Sequence, residues 1–283
     1  MFPVIGIVIV FGSIIGGYLF EQGNLHILIQ PAELIIIGGA AIGSLVITCP
    51  PKLLVKILKD IPKIFGSGPA KHDFLDLLGL LYALFSKVKK EGLLALESDI
   101  EHPKKSAIFK KHQGVLRNPH ALEFICDNLR VYILGIKPYD FEEMMDLEIE
   151  THHHESSLPS TVISKVADSL PGFGIVAAVL GVVITMGKTS ESPEAIGHSI
   201  AAALVGTFLG ILLCYGLFGP VASNLEHRAI EEAKYFEAIK VAILAFAKDM
   251  PPQLAIEAAR RVLMVDTKPT FKELEKTIKK KAA

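Results

Sequence analysis

The chain has 283 residues, of which 51% are hydrophobic and 21% are charged, and its formal net charge is −1. A soluble enzyme of this length would mix the two kinds of residue, whereas here they occupy separate blocks, as is typical of a membrane protein. The near-neutral charge excludes the strongly basic character of nucleic-acid-binding proteins, so we expect no nucleic-acid partner.

Four apolar segments are the first predicted elements. A helix needs about 20 residues to cross a hydrocarbon core of roughly 30 Å, and segments at about 3–20, 33–50, 169–187 and 199–221 come close to this length. They predict an all-α membrane protein with four transmembrane helices and a helical cytoplasmic domain. The predicted organisation is a transmembrane hairpin at 1–50, a helical cytoplasmic domain at 51–165, a second transmembrane hairpin at 166–222 and cytoplasmic helices at 223–283.

Basic residues predict the orientation of these spans. None of the first 51 residues is Lys or Arg, whereas Lys52 and Lys56 follow the second span and Lys165 precedes the third; the loop between the third and fourth spans carries only Lys188. Loops on the cytoplasmic side carry an excess of Lys and Arg. We therefore expect both termini and the long middle segment in the cytoplasm of a bacterial inner-membrane protein.

The middle segment contains a surface helix rather than a fifth span. Its apolar residues recur at the three- and four-residue spacing of one helix face, with acidic residues at its start and lysines at its end: Phe74, Leu77, Leu78, Leu81, Leu84 and Phe85. Near the carboxyl terminus, further amphipathic helices are predicted at Ala229–Lys248 and Leu254–Val265, separated at Pro251-Pro252.

The apolar cores of the four spans lack ionisable side chains. Segments 3–20, 34–49, 170–186 and 200–221 contain no Asp, Glu, Lys, Arg or His, and Glu33 is placed at the lip of the second span. An ionisable group within a membrane costs about 2.5–3.5 kcal/mol on insertion scales and is retained for function. The chain therefore either conducts no ion or depends on an acid supplied by a second protein. A membrane threonine such as Thr207 more often bonds to its own helix than lines a pore, so its position alone leaves its role open.

Motifs of soluble catalysis are missing from the sequence. No P-loop, GxSxG or HExxH occurs, and the three cysteines form no CxxC pair, so we expect neither an enzyme nor a bound cofactor. His152-His153-His154 cannot all face one ion from a helix. The neighbouring Glu150 and Glu155 instead predict a solvated acidic loop, and we expect no metal site.

One cluster of charges has two interpretations. Lys87, Lys89, Lys90 and Glu91 precede Gly92, and Glu97, Asp99 and Glu101 follow it. If the helix continues through Gly92, then Lys90, Glu97 and Glu101 lie near one stripe. The cluster is then either a solvated helix face or a docking surface whose alternating charges select a partner.

Several motifs resemble the MotA/TolQ/ExbB proton channel family, and within it the MotA flagellar stator subunits, nearly throughout the chain and in the same order. The matching stretches are Gln30-Pro31-Ala32-Glu33-Leu34 into Gly38, Leu96-Glu97-Ser98-Asp99-Ile100-Glu101-His102-Pro103, Glu148-Ile149-Glu150-Thr151-His152, Asp168-Ser169-Leu170-Pro171-Gly172-Phe173-Gly174-Ile175-Val176-Ala177-Ala178, Val205-Gly206-Thr207-Phe208-Leu209-Gly210-Ile211-Leu212-Leu213, Pro251-Pro252 and Lys268-Pro269-Thr270-Phe271.

The resemblance implies partners and roles that the residues alone do not. Family members form a homo-oligomeric ring, implied here as a pentamer, around a MotB-type single-span subunit that carries the ion-binding aspartate. The torque is delivered to a FliG-type rotor protein. The implied roles are pore lining for Ala178 and Thr207, conformational hinges for Pro171 and Pro220, and rotor-facing charges for Lys89, where an arginine is usual, with Glu97 and also Lys90.

The same residues bear on the transported ion, and two alternative functions are open. We expect H+ rather than Na+, because the single Thr207 is followed by Phe208, whereas sodium-type relatives tend to place paired threonines there. One alternative is an ExbB- or TolQ-like energiser of an outer-membrane machine, although those relatives usually have three spans. The other alternative is a non-conducting membrane scaffold or transporter subunit.

Overall fold

The computed structural model describes residues 2–66, 68–187 and 192–282. Every regular element in these ranges is a helix, which confirms the prediction of an all-α protein. The chain forms two units, each assembled from two separate stretches: Met1–Ser67 with Ser156–His227, and Gly68–Glu155 with Arg228–Ala283.

The first unit contains the apolar helices. Within the described residues, four helices are long and apolar enough to cross a membrane, in agreement with the four predicted spans. Lys188, on which part of the orientation argument rests, lies outside the described residues. The elements that contribute to this unit are α1 (Phe2–Phe20), α2 (Leu25–Leu28), α3 (Pro31–Thr48), α4 (Pro51–Asp60), a 3₁₀ turn (Ile61–Phe65), α10 (Pro138–Met186), α11 (Pro193–Leu213), a π-helical turn (Cys214–Phe218) and α12 (Gly219–Ala247).

Local sequence explains where two of the spans begin. Pro31 and Pro193 each occupy the first turn of their helix, where the missing N–H would have no partner in any case. At α11 the Ser192 hydroxyl also accepts a hydrogen bond from the Ala195 backbone N–H, which caps the helix.

Glycines let α10 and α11 cross at very short distance. A side chain at Gly174 would place its Cβ 2.7 Å from the Gly206 carbonyl oxygen, and one at Gly210 would place it 2.6 Å from the Leu170 oxygen. Lipid offers no hydrophobic drive for helix association, so close contact through small residues takes its place. The glycines of α1 differ, because an added Cβ at Gly12 or Gly16 would meet nothing within 4 Å in this subunit.

The second unit is a helical bundle built around α5. The six residues of the predicted apolar stripe are all at most 2% exposed, and each fully buried side chain of this size contributes about 1.5–3 kcal/mol. The rings of Phe85 and Phe246 stack with centroids 4.3 Å apart. Besides parts of α10 and α12, the elements are α5 (Lys71–Glu91), a 3₁₀ turn (Leu93–Leu96), α6 (Glu97–Glu101), α7 (Ala107–Lys110), α8 (Gln113–Leu116), α9 (Pro119–Ile133), α13 (Pro252–Arg261) and α14 (Phe271–Ala282).

The histidine triplet lies in a helix, so the predicted acidic loop is wrong. Residues 152–154 belong to the continuous helix α10. The His152 ring packs against Phe236, with ring centroids 4.3 Å apart, and against His120 at 5.7 Å. These apolar and aromatic contacts come from distant parts of the chain, so the charges flanking the triplet gave no sign of them.

The carboxyl-terminal Pro269-Thr270 motif is held by Arg260. The Arg260 Nη1 atom donates to the Pro269 carbonyl oxygen at 3.0 Å, while Nε and Nη2 donate to the two carboxylate oxygens of Glu257, both at 2.7 Å. These charge-assisted bonds, with a further one from Arg261, lower the pKa of Glu257 from 4.5 to about 2. The Glu257–Arg260 pair thereby ties α13 to the segment that leads into α14.

We expect Glu257→Gln to destabilise the protein by about 2 kcal/mol at neutral pH, since hydrogen bonds to charged groups each contribute roughly 1.5–3 kcal/mol. Because the folded state lowers the pKa of this acid, the stabilisation is complete above pH 4.5 and is lost as the pH falls towards 2. The measurement is thermal unfolding of the detergent-solubilised protein between pH 3 and pH 7. The difference from wild type should shrink with acidification, and Glu275→Gln, at an exposed i,i+4 pair with Lys279, should change little. A difference that is constant with pH would contradict the assignment.

Candidate functional site

The predicted pore residues Ala178 and Thr207 both lie beside the crossing of α10 and α11. The Cβ position of Gly206 lies 3.2 Å from the Ala178 backbone nitrogen, and that of Gly174 lies 3.3 Å from the Thr207 Cα atom. Both predicted residues are partly exposed in this subunit. Each of the two residues therefore lies next to a glycine of the neighbouring helix, Ala178 next to Gly206 and Thr207 next to Gly174.

The Thr207 hydroxyl differs from the hydroxyls of Thr48 and Thr185 in its hydrogen bonding. Thr185 and Thr48 donate to the carbonyl oxygens four residues earlier, at 2.8 and 2.7 Å, as threonines in membrane helices commonly do. In the described ranges, the Thr207 hydroxyl has no hydrogen-bond partner. It is thus available to a group outside this subunit.

Glu33 is buried within the apolar unit rather than placed at the lip of the second span. It lies in the first turn of α3 and is 7% exposed. Its Oε2 atom lies 2.6 Å from the Cβ position of Gly206, and its Oε1 atom lies 3.6 Å from that of Gly181. Sequence analysis placed Glu33 at the surface because it starts the apolar segment, whereas its burial depends on glycines in two distant helices.

The predicted hinge Pro171 lies inside a continuous helix. Helix α10 runs from Pro138 to Met186 and contains Pro171 in its interior. Proline has no N–H, so the carbonyl group of Ala167, four residues earlier, loses its helical hydrogen bond at this point. The third span is thus the last part of a longer helix that has a weakened turn at Pro171.

The predicted hinge Pro220 follows a π-helical turn that sequence analysis did not predict. Residues Cys214–Phe218 form this turn, and the Gly219 N–H donates to the carbonyl oxygen of Cys214, five residues earlier. π-turns and prolines are both recognised causes of helix bending. Pro220 also borders a cavity of about 310 Å³ lined by α1 and the π-turn. The Gly-Pro pair at 219–220 was the one sign in the sequence of an irregular turn here.

The charged cluster is divided by a break at Gly92, so the continuous stripe considered for Lys90, Glu97 and Glu101 is wrong. Helix α5 ends at Glu91, and Gly92 has φ +87°, a conformation that glycine adopts at little steric cost. A 3₁₀ turn then leads to α6, which begins at Glu97. The break places Lys90 in the last turn of one helix and Glu97 in the first turn of another.

Asp99 forms internal bonds that its place in the charged cluster did not predict. It is 7% exposed, and it accepts hydrogen bonds from Lys87 Nζ at 2.6 Å and from the Ser106 hydroxyl at 2.5 Å. The buried bonds connect the end of α5 with α6 and with the cap of α7. They fix the two sides of the Gly92 break relative to each other, and no sequence spacing predicts the pairing of Lys87 with Asp99.

The remaining charges face solvent. Lys89, Lys90 and Glu97 are exposed, and none forms an ion pair with a residue of the described ranges. The cluster therefore contains the internal pair of Lys87 and Asp99, Glu101 in an ion pair with Arg130, and an exposed group of two cations and one anion. We call Lys89, Lys90 and Glu97 the charged surface.

Metal binding has no candidate residues in the part of the chain that the structure describes. No group of three or more His, Cys, Asp or Glu side chains there is arranged to hold an ion. His152 contacts aromatic rings, and its Nε2 atom lies 3.9 Å from Glu232 Oε1.

Comparisons with known proteins assign the family. Residues 4–92 match the family model "Motility protein A N-terminal", and residues 116–238 match "MotA/TolQ/ExbB proton channel family". Motility protein A of Salmonella typhimurium is 41% identical over 281 residues, which cover 99% of this chain and 95% of that protein. The Escherichia coli protein of the same name gives the same values, and chemotaxis protein LafT of Vibrio parahaemolyticus is 36% identical over 96% of both chains.

Solved structures match the fold. A chain of the Campylobacter jejuni MotAB structure has a TM-score of 0.77 at 22% identity, covering 93% of this chain and 95% of that one. A chain of the flagellar MotAB stator complex from Bacillus subtilis has a TM-score of 0.75 at 22% identity, covering 94% and 98%. At this identity the likeness establishes the fold, whereas the full-length relatives establish the family. The chain therefore belongs to the motility protein A family of flagellar motor stator subunits, within the wider MotA/TolQ/ExbB proton channel family.

Proposed function

We propose that this subunit lines an ion pathway with Ala178 and Thr207 and converts ion flow into torque at the charged surface. The observation that carries the proposal is the free Thr207 hydroxyl at the glycine-mediated crossing of α10 and α11, where Ala178 also lies. A pore-facing hydroxyl must be unoccupied by its own helix if it is to contact a passing ion or a partner side chain. Membership of the stator family supports this role.

The partner in this proposal is a MotB-type single-span subunit that supplies a membrane aspartate. The apolar segments of the described chain contain one carboxyl group, Glu33, and it lies against Gly181 and Gly206. An acid from a second protein would therefore bind the ion next to Thr207. By family resemblance, the subunits assemble as a homo-oligomeric ring, with five copies around the partner, in the bacterial inner membrane and with both termini in the cytoplasm.

The transported ion in this proposal is H+ rather than Na+. A dehydrated alkali cation needs several oxygen ligands in place of its water shell. Thr207 offers a single side-chain oxygen and is followed by Phe208. A carboxyl group on the partner is sufficient to carry a proton, whereas a sodium site would need additional oxygens in this layer.

Torque in this proposal reaches a FliG-type rotor protein through Lys89, Lys90 and Glu97. Their exposure and freedom from internal ion pairs support a docking role. Pro171 and Pro220 act as hinges, because each marks a turn with altered backbone hydrogen bonding in helices that continue towards the cytoplasmic residues. Changes in packing at Thr207 would bend these turns.

The test of the function is proton uptake by vesicles that contain the chain together with its MotB-type partner. A pH-sensitive dye inside the vesicles reports the uptake. We expect uptake when both proteins are present and loss of uptake when the partner aspartate is changed to asparagine. A chain that conducts without the partner would contradict the proposal, and so would a complete complex that does not conduct. A deletion strain with paralysed flagella separates the stator from an outer-membrane energiser, which would leave rotation intact.

For the hinge, we expect Pro171→Ala to reduce swimming speed at least several-fold while the complex assembles at normal yield. Alanine restores the N–H that can bond the Ala167 carbonyl group and so stiffens the turn. Pro159, in the interior of the same helix, provides the matched control, and Pro159→Ala should swim normally. A Pro171→Ala strain that swims at wild-type speed would refute the hinge.

A further inference from the structure

Glu33 is a buried membrane carboxyl group for which the proposed mechanism has no use. It is 7% exposed, and its Oε2 atom has no hydrogen-bond partner among the described residues. It packs against Gly181, which lies five positions before Met186, the last residue of α10. At about 1.5 Å per residue this separation is roughly 7.5 Å. A carboxyl group at this depth in an apolar segment is costly and is retained for function.

The carboxyl group occupies space left by glycines on two helices. Its Oε2 atom lies 2.6 Å from the place where a Cβ at Gly206 would stand, and its Oε1 atom lies 3.6 Å from that place at Gly181. The same Gly206 position lies 3.1 Å from the Ala177 Cβ atom. Helices α3, α10 and α11 therefore converge at Gly206, directly before Thr207 in the chain.

We propose that Glu33 is a positioning residue, whose carboxyl group sets the spacing of α3 from the α10–α11 crossing and thereby the position of Thr207 relative to Ala178. The inference rests on the proposed ion pathway along these two residues. Size and polarity, rather than negative charge, carry the role. An unpaired carboxylate among glycine backbone and apolar side chains would lose far more solvation energy than a neutral polar group of the same shape.

The first test compares Glu33→Gln with Glu33→Ala in the complete complex with its partner. We expect the Gln variant to retain at least half of the wild-type proton flux into vesicles, because its amide has nearly the size and polarity of the carboxyl group. The Ala variant should assemble but lose at least ten-fold in flux, because α3 then settles differently against α11. Gly43→Ala, on the same helix and with nothing within 4 Å of the added Cβ, is the control and should conduct normally.

The second test couples Glu33 to Gly206. A methyl group in Gly206→Ala would stand 2.6 Å from Oε2, so we expect this variant to lose flux strongly. Glu33→Ala/Gly206→Ala removes that overlap and should conduct better than Gly206→Ala alone. Non-additivity of this kind is the signature of two residues in direct contact.

Several results would overturn the inference. A Gln variant that assembles but conducts no better than the Ala variant would mean that the carboxylate itself is needed. Wild-type proton flux in Glu33→Ala would mean that Glu33 does not position α11. The same conclusion would follow if the double variant had no higher flux than Gly206→Ala. If Glu33→Ala fails to assemble, the shorter Glu33→Asp replaces it in the comparison. A flux of Glu33→Asp equal to that of Glu33→Gln would then contradict the positioning role. Absence of flux in the wild-type complex would instead refute the proposed function.

Discussion

Gly174→Leu is expected to abolish assembly of a functional stator by forcing α10 and α11 apart. A Cβ at this position would lie 2.7 Å from the Gly206 oxygen, 3.1 Å from the Gly210 Cα atom and 3.3 Å from the Thr207 Cα atom. All three are backbone atoms, so no side chain can rotate away to relieve the overlap. Overpacking of this kind typically costs about 1–3 kcal/mol, and we expect the upper end of that range or more because the leucine adds four side-chain carbons.

Gly172→Leu is the matched control for this substitution. Gly172 lies in the same helix, and an added Cβ there would meet nothing within 4 Å. Recovery of the complex by size-exclusion chromatography, followed by proton flux in vesicles, should show loss for Gly174→Leu and near-normal values for Gly172→Leu. Equal behaviour of the two variants would show that the close crossing is not needed for the channel.

Reversal of the charged surface is expected to stop rotation while assembly and proton flux stay normal. The triple variant Lys89→Glu/Lys90→Glu/Glu97→Lys changes three exposed residues that have no ion pair with the described chain. Its folding cost should stay within about 0.5 kcal/mol, as for ordinary surface substitutions. Like charges placed against a complementary partner cost several kcal/mol, so we expect swimming to fall at least ten-fold.

A control variant with the same change in charge separates docking from a general electrostatic effect. Lys272→Glu/Lys276→Glu/Asp266→Lys also changes two lysines and one acid, at exposed positions around α14, and should swim normally. Opposite reversals on the rotor protein should restore part of the motility. Normal swimming of the charged-surface variant would remove Lys89, Lys90 and Glu97 from the rotor interface.

The charged cluster illustrates the limits of sequence analysis. One stripe of charges was expected only if the helix continued through Gly92, but Gly92 takes a positive φ and divides the cluster between two helices. Lys87 and Asp99 look no different in sequence from Lys89 and Glu97. Their pairing at 2.6 Å depends on a turn that folds α6 back towards α5, and that turn cannot be derived from charge pattern alone.

A second feature that the sequence did not predict is the burial of Glu33. Its position directly before the apolar run 34–49 predicted a group at the lip of the span. Its burial follows from Gly181 and Gly206, which leave space for a carboxyl group on two helices far along the chain. The chain positions of these three residues do not indicate how their helices approach one another.

The sequence by itself determined the four spans and the buried face of α5. Lipid requires about 20 apolar residues per helix, and a helix face shows a period of 3.6 residues, so both signals are local and can be counted. Only the tertiary structure decided which charges are internal, that Thr207 and Ala178 lie at one helix crossing, and that Glu33 is buried against Gly206. These depend on where helices cross, and a crossing is set by contacts between residues far apart in the chain.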